Sequence, residues 1–191
     1  DELFFAVQRS SEENRIISTR SLEPIYDLET LIRAVPLVLE QVPDAKFTII
    51  GGGSQEDLLK NLAADLGIAG SIDFIGRLEN TEIPGHMSRA KVYVSTSLAD
   101  GTSISLLEAM AAGLVPVVTD IDANRPWIKH GQDGFLFPAG DYKALANQII
   151  LAMGGHIAST ALENNQALLK GNIAWPQIAA RYVDHYRACL K

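Results

Sequence analysis

Cysteine is almost absent: Cys189 stands alone in 191 residues. That excludes an intramolecular disulfide, a paired-thiol redox motif and a thiolate metal cage, and makes a reducing cytoplasm the expected compartment. Long hydrophobic runs are missing too. No apolar stretch approaches the roughly 20 residues that cross a bilayer, and the acidic start Asp1-Glu2 lacks the basic region of a secretory signal. An initiator Met is also lacking, so the chain is expected to be an excised part of a longer protein. Positive charge is in deficit, 16 Lys+Arg against 23 Asp+Glu for a formal net charge of −7, and the basic residues do not cluster. Such a field repels nucleic-acid phosphates and anionic membrane surfaces, so nucleic acid is not expected as a partner. Internal repeats and low-complexity tracts are absent as well. What is plentiful is apolar: 47% of residues are hydrophobic and only 20% charged, enough for a sizeable core and for one domain or at most two small ones.

Turn residues divide the chain into segments that alternate in type. Arg15 to Thr19 is a short β-branched run, and Asp27 to Val42 carries Leu28, Leu31, Ile32 and Val35 at helix spacing, with Pro36 expected to kink or shorten it. Ala45 to Ile50 predicts a buried strand ended by Gly51-Gly52-Gly53. Ser54 to Leu66 predicts a helix with Ser54 as N-cap and Gly67 beyond its end. The cycle continues with strand 71–75, a weak helix 82–89, strand 92–96, helix 103–112, strand 115–119, strand 135–137 and helix 141–153. The stretch from about Gly155 to Lys191 is expected to be helical, with Ile178, Tyr182 and Tyr186 on one face. Uniformly apolar strands between amphipathic helices are what a parallel sheet covered on both faces requires. The expected fold is an α/β, doubly wound, Rossmann-like sheet over residues 15–191 with a helical C-terminal tail, preceded by a linker at 1–14.

In such sheets ligands bind at the carboxyl ends of the strands. The most unusual local sequences follow strand ends: 20–27, 51–54, 76–80 and 97–105. Gly51-Gly52-Gly53-Ser54 lets a backbone approach a ligand, and equally serves as a tight turn; it lacks both the full dinucleotide fingerprint and a Walker lysine. Asp100-Gly101-Thr102-Ser103-Ile104-Ser105-Leu106-Leu107-Glu108 is more informative. It puts an acid and a small turn before a helix start, where backbone N–H groups and the helix dipole favour a phosphate. The alternative is a capping box, Ser105-x-x-Glu108, in which Glu108 only returns a hydrogen bond to the backbone.

The run DGTSISLLEAMAAGLVPVVTDIDANRPWI resembles the donor-site segment of the retaining GT-B glycosyltransferases of group 1 (GT4-like). Its signature is an acid, seven residues, then Glu before Ala-Met-Ala-x-Gly-x-Pro-Val-Val. ISTRSLEPIYDLETLIRA, FTIIGGGSQEDLL, IDFIGRLENTEI, HGQDGFLFPAGDYKALANQI and AWPQIAARYVDHY resemble other segments of that family in order. The resemblance implies a glycosyltransferase domain that binds a nucleoside-diphosphate sugar (UDP, GDP or ADP) and that, in the full-length protein, transfers a hexose with retention and without a metal or other cofactor. Polysaccharide or glycolipid synthesis is the implied setting. The acceptor, a sugar or lipid-linked sugar, and any peripheral contact with the inner face of a membrane would belong to an N-terminal domain missing here, leaving the isolated domain inactive. Position by position, Glu108 would hold the ribose hydroxyls, Asp100 the hexose 3- and 4-hydroxyls, and Arg20 the diphosphate. Backbone of Gly101, Thr102, Ser103 and Ile104 would bind phosphate and sugar, Gly52 and Gly53 would allow close approach, and the backbone at Arg77 and Leu78 would meet the base edge.

Two departures stand out. The family's lysine a few residues after the arginine is replaced by Tyr26-Asp27, and the first acid is Asp followed by Gly-Thr-Ser. The missing lysine supports a reading in another class, a non-catalytic degenerate module that binds a partner protein. A related nucleotide-sugar epimerase and an NAD-binding domain rank lower. Asp120-Ile121-Asp122 has a metal-binding form without supporting ligands. His86, His130, His156 and His185 have no metal-ligand spacing, Trp127 and Trp175 are expected to pack helices, and 124–127 is placed near the acceptor side.

Overall fold

The computed structural model describes residues 2–7 and 14–172. A single helical turn, α1 (Glu2–Phe5), precedes β1 (Arg15–Ser18) and a 3₁₀ turn at Pro24–Tyr26. There follow α2 (Leu28–Gln41), β2 (Lys46–Ile50), α3 (Glu56–Asp65), a second 3₁₀ turn (Ala69–Ser71), β3 (Ile72–Gly76), α4 (Ile83–Met87) and β4 (Val92–Ser95). The chain continues through α5 (Ile104–Ala111), β5 (Val115–Thr119), β6 (Phe135–Phe137), α6 (Tyr142–Met153) and α7 (Ser159–Asn172). All pairings are parallel, and the sheet order is β3-β2-β1-β4-β5-β6. This is the doubly wound order in which the winding reverses between β1 and β4.

Alternation along each strand explains why both faces are covered. Ile16, Val92, Val94 and Val117 join one buried cluster with Leu28, Leu31, Ile32 and Val35 of α2 and Leu145 and Ile149 of α6. Their strand neighbours Ile17, Tyr93 and Val118 join a second cluster with Leu106, Ala109 and Met110 of α5. Successive strand side chains point to opposite faces, so a strand apolar at every position must be sandwiched.

Every expected strand and helix up to residue 153 is present, with ends shifted by one or two residues. The helix containing Pro36 is not cut short and runs to Gln41. Burial of Leu31, Ile32, Ala34, Val35 and Val38 along one face outweighs the ~3 kcal/mol that an interior proline costs. Gly67, at φ +71, closes α3 as expected, but Ser54 does not cap it: Gln55 is the N-cap residue. The C-terminal helix occupies Ser159–Asn172, and the Ile178, Tyr182 and Tyr186 face, Trp175, His185 and Cys189 lie outside the described residues. Phe4, in the stretch expected to be a linker, is instead fully buried in the second cluster, because its ring packs with the apolar side chains around α5.

Candidate functional site

The reversal of winding places the segments that leave β1 and β4 side by side, and both turn polar as they leave the sheet. Ser18 and Ser95 end β1 and β4, Thr119 ends β5, and all three are buried. Residues 19–27 are fastened on two sides. Towards β2, Leu22 N–H donates to Gly52 O at 3.1 Å and Gln55 N–H to Leu22 O at 2.9 Å; towards β4, Leu98 N–H donates to Ile25 O at 2.9 Å. The Thr96 hydroxyl adds a 2.7 Å bond to Tyr26 O. Gly51 makes this possible. It sits at φ +144, and a Cβ there would collide with the carbonyl of Arg20.

A cavity of about 320 Å³ opens between the two segments, lined by Thr19, Arg20, Ser21, Tyr26, Asp100, Thr102, Ile104, Ser105 and Glu108. Arg20 is its centre and is only 9% exposed. Its Nη1 donates to Ser103 Oγ at 3.1 Å and Ser105 Oγ at 2.9 Å, and its Nη2 lies 2.5 Å from Asp100 Oδ2. The guanidinium carbon stands 4.2 Å from the centre of the Tyr26 ring, a cation–π contact. Beneath it the buried Tyr93 hydroxyl donates to Ser105 Oγ at 2.8 Å. Arg20 Nε and the Thr19 hydroxyl are buried without a hydrogen-bond partner among the described residues. Among the lining residues, Arg20 is the one cation and Asp100 and Glu108 are the two acids.

Helix α5 opens onto this cavity, and its cap differs from the expected one. Ser103 is the N-cap residue and accepts from Leu106 N–H at 3.4 Å. Glu108 therefore lies beyond the reach of any capping box, and the structural alternative for this residue falls. Its carboxylate accepts no hydrogen bond and pairs with no cation among the described residues, and burial raises its pKa above the ordinary carboxylate value. A half-buried acceptor facing a cavity, without a hydrogen-bond donor among the described residues, is suited to ligand hydroxyls.

The structure brings Arg20, Asp100, Thr102, Ile104 and Glu108 together, with Gly101 and Ser103 flanking them. It does not bring in Gly52, Gly53, Arg77 or Leu78, which follow β2 and β3 outside the lining. A Cβ on Gly52 would meet the Arg77 side chain at 3.1 Å, one on Gly53 would strike the Leu22 carbonyl, and Leu78 packs against the second cluster. The start of α3 holds an internal anion: Glu23 Oε1 accepts from Ser54 N–H at 3.0 Å and Oε2 from its hydroxyl at 2.6 Å. Those bonds, the side-chain one foremost, lower the Glu23 pKa.

Sequence reasoning did not assign Thr19 or Tyr93 a place here; Ser21 and Ser105 fell within the segments 20–27 and 97–105 without a side-chain role toward Arg20, and Tyr26 entered only as a departure from a pattern. A signal was present. Each strand that feeds the site is apolar in its middle and ends in Ser or Thr, marking the edge where the sheet meets polar chemistry. The remaining candidates have structural duties. Asp120 and Asp122 both pair with Arg125, at 2.7 and 2.6 Å. Asn124 Nδ2 donates to Thr119 O, His130 Nδ1 accepts from Leu136 N–H, and Trp127 packs against the second cluster. Among the described residues no cluster of three or more metal-ligating side chains occurs, and no helix is long and apolar enough to cross a membrane.

A family model described as glycosyl transferases group 1 matches residues 1–167. The chain is 34% identical over 129 residues to a phosphatidyl-myo-inositol mannosyltransferase of Mycobacterium leprae, covering 67% of this chain and 34% of that protein. It is 26% identical over 196 residues to a GDP-mannose-dependent alpha-(1-6)-phosphatidylinositol monomannoside mannosyltransferase of Mycobacterium tuberculosis, covering 94% of this chain and 49% of the relative. The crystal structure of the pneumococcal O-GlcNAc transferase GtfA, in complex with UDP and GlcNAc, superposes with a TM-score of 0.84 at 22% identity, over 96% of this chain and 38% of that one. The chain thus spans between a third and a half of the length of these relatives, and it shares with the last the fold expected from its sequence.

Proposed function

The chain belongs to the group 1 glycosyl transferases, and we propose that residues 15–191 are the donor-binding half of such an enzyme, holding a nucleoside-diphosphate sugar at the β1–β4 crevice. The observation that carries this reading is the convergence of Arg20, Asp100, Glu108 and the start of α5 on one cavity of about 320 Å³. The diphosphate meets the Arg20 guanidinium and the N–H groups at 101–104, where the helix dipole adds a partial positive charge. Glu108 accepts from the ribose hydroxyls and Asp100 from the hexose hydroxyls. The base lies towards Arg77 and Leu78, beyond Gly52 and Gly53. One named relative is GDP-mannose-dependent and one structural neighbour holds UDP, so the base is a matter for experiment.

In the full-length enzyme the bond between the anomeric carbon and the diphosphate breaks, the acceptor hydroxyl oxygen bonds to that carbon with retention, and the hydroxyl proton leaves on the diphosphate. Stabilising the departing charge is the main task of the residues present, and Arg20 and the α5 start perform it without a metal. The acceptor, a sugar or lipid-linked sugar, is bound by a preceding domain, so the isolated chain binds donor and turns over little. The setting is the cytoplasm, in polysaccharide or glycolipid synthesis. Titration calorimetry with UDP, GDP, ADP and their sugars tests this, and no heat with any of them sinks it. Glu108→Ala is expected to weaken the nucleotide that binds by about 1–3 kcal/mol, the range for lost charged hydrogen bonds.

A second reading, a non-catalytic module for a partner protein, is favoured by one observation: Tyr26 stands where the family has lysine, and the remaining cation is already paired with Asp100. Transfer assays on the full-length protein separate the two.

A further inference from the structure

We propose, resting on the donor-binding reading above, that Asp100 is a built-in competitor for the phosphate position, and that this makes the site prefer a sugar-bearing donor over the spent nucleoside diphosphate. The Asp100 carboxylate takes two donors that a phosphate oxygen would use, Arg20 Nη2 at 2.5 Å and the Gly101 N–H at 3.0 Å. The arginine is the fixed partner in this pair. Its other amino group is held by Ser103 and Ser105, its face rests on Tyr26, and its side chain is 9% exposed. The acid is the movable partner. It is 18% exposed, at the start of a loop whose next residue, Gly101, has open space where a side chain would be.

Charge sharpens the competition. With one cation and two acids around the cavity, a diphosphate competes directly with Asp100 for the Nη2 group of that guanidinium. A displaced carboxylate that stays largely out of water needs new hydrogen-bond donors, and leaving it without them is costly. A sugar nucleotide brings those donors as hexose hydroxyls; a free nucleoside diphosphate brings none. Once the hexose has left, Asp100 loses its partners and returns to Arg20, and that return loosens the product. Asp100 thereby ties phosphate binding to the presence of a sugar.

The test is calorimetry on the 191-residue chain and on Asp100→Asn and Asp100→Ala, titrated with UDP, GDP, ADP, UDP-glucose, GDP-mannose and ADP-glucose. Both variants remove the competing charge, and melting curves establish that each is folded. In both, the free nucleoside diphosphate is expected to bind about tenfold tighter than to the parent, the equivalent of one charged hydrogen bond, while the sugar nucleotide gains less or loses affinity. A merely structural Asp100 predicts the opposite sign, weaker binding of every nucleotide. Unchanged or weaker nucleoside-diphosphate binding in both variants, with the parent binding normally, overturns this inference and leaves the donor-binding reading intact. A parent chain that binds no nucleotide overturns the donor-binding reading itself, and this inference with it.

Discussion

At the scale of single residues, Glu108 shows how the role proposed for a side chain and a stable fold pull in opposite directions. Burial holds its pKa above that of an exposed glutamate, so the folded chain takes up a proton more readily than the unfolded chain does. The sign follows directly. At neutral pH the ionised group lowers stability, and stability from this group is recovered as pH falls through the raised folded value towards the unfolded one. Glu108→Gln is therefore expected to raise the melting temperature of the ligand-free chain at pH 7, with the gain shrinking in acid. A ribose hydroxyl donates better to a carboxylate than to a carboxylic acid. Nucleotide affinity in the parent should accordingly fall as pH drops through the raised Glu108 value, and the Gln variant, weaker throughout, should lose that particular dependence. Calorimetry at several pH values checks both. Arg20 and Asp100 were readable as chemical types from their place in a pattern, but their direct pairing was not. Eighty positions separate them, and only packing decides that the acid closest to this guanidinium is Asp100 rather than Glu23.

At the scale of elements, the glycine loop after β2 has a structural duty ahead of any ligand. Gly51 and Gly53 lie against the carbonyls of Arg20 and Leu22, so a Cβ at either would push on the segment that carries the site arginine. Gly51→Ala is expected to cost about 2–3 kcal/mol, from a strained positive φ and a backbone clash, and to abolish nucleotide binding by displacing Arg20. Thermal unfolding together with titration distinguishes this from a loop that only meets ligand, which would lose affinity at constant stability. The caps taught a related lesson. Sequence offered two serines, Ser103 and Ser105, for one helix start, and the hydrogen bond from Leu106 N–H goes to the first. Ser105 is thus released to accept from Arg20 and Tyr93. Likewise Ser54 is held by Glu23 and leaves the α3 cap to Gln55. At α3 a residue suited to capping has a charged tertiary partner that outweighs the cap, whereas at α5 the buried Ser103 both caps and accepts from Arg20.

At the scale of the whole molecule, two clusters on opposite faces of one parallel sheet hold the crevice open at the reversal of winding. The opening residues belong to this body: Phe4 is fully buried with the cluster around α5. Phe4→Ala is expected to destabilise the chain by about 3 kcal/mol, measured by denaturant unfolding, with little change in nucleotide affinity if the α5 start keeps its place. The chain's own sequence determined the alternation of apolar strands and amphipathic helices, and with it the doubly wound class, because periodicity and turn residues are local properties. It determined as well that chemistry would gather where strands end, and which acids and which arginine were candidates. The tertiary structure alone decided that β1 and β4 are neighbours, that Tyr26 lies under Arg20, and that Asp100 pairs with the Arg20 guanidinium. The physical reason is distance along the chain: residues 20, 26, 100 and 108 meet only through strand order and packing, and no local preference encodes which carboxylate reaches a buried guanidinium first.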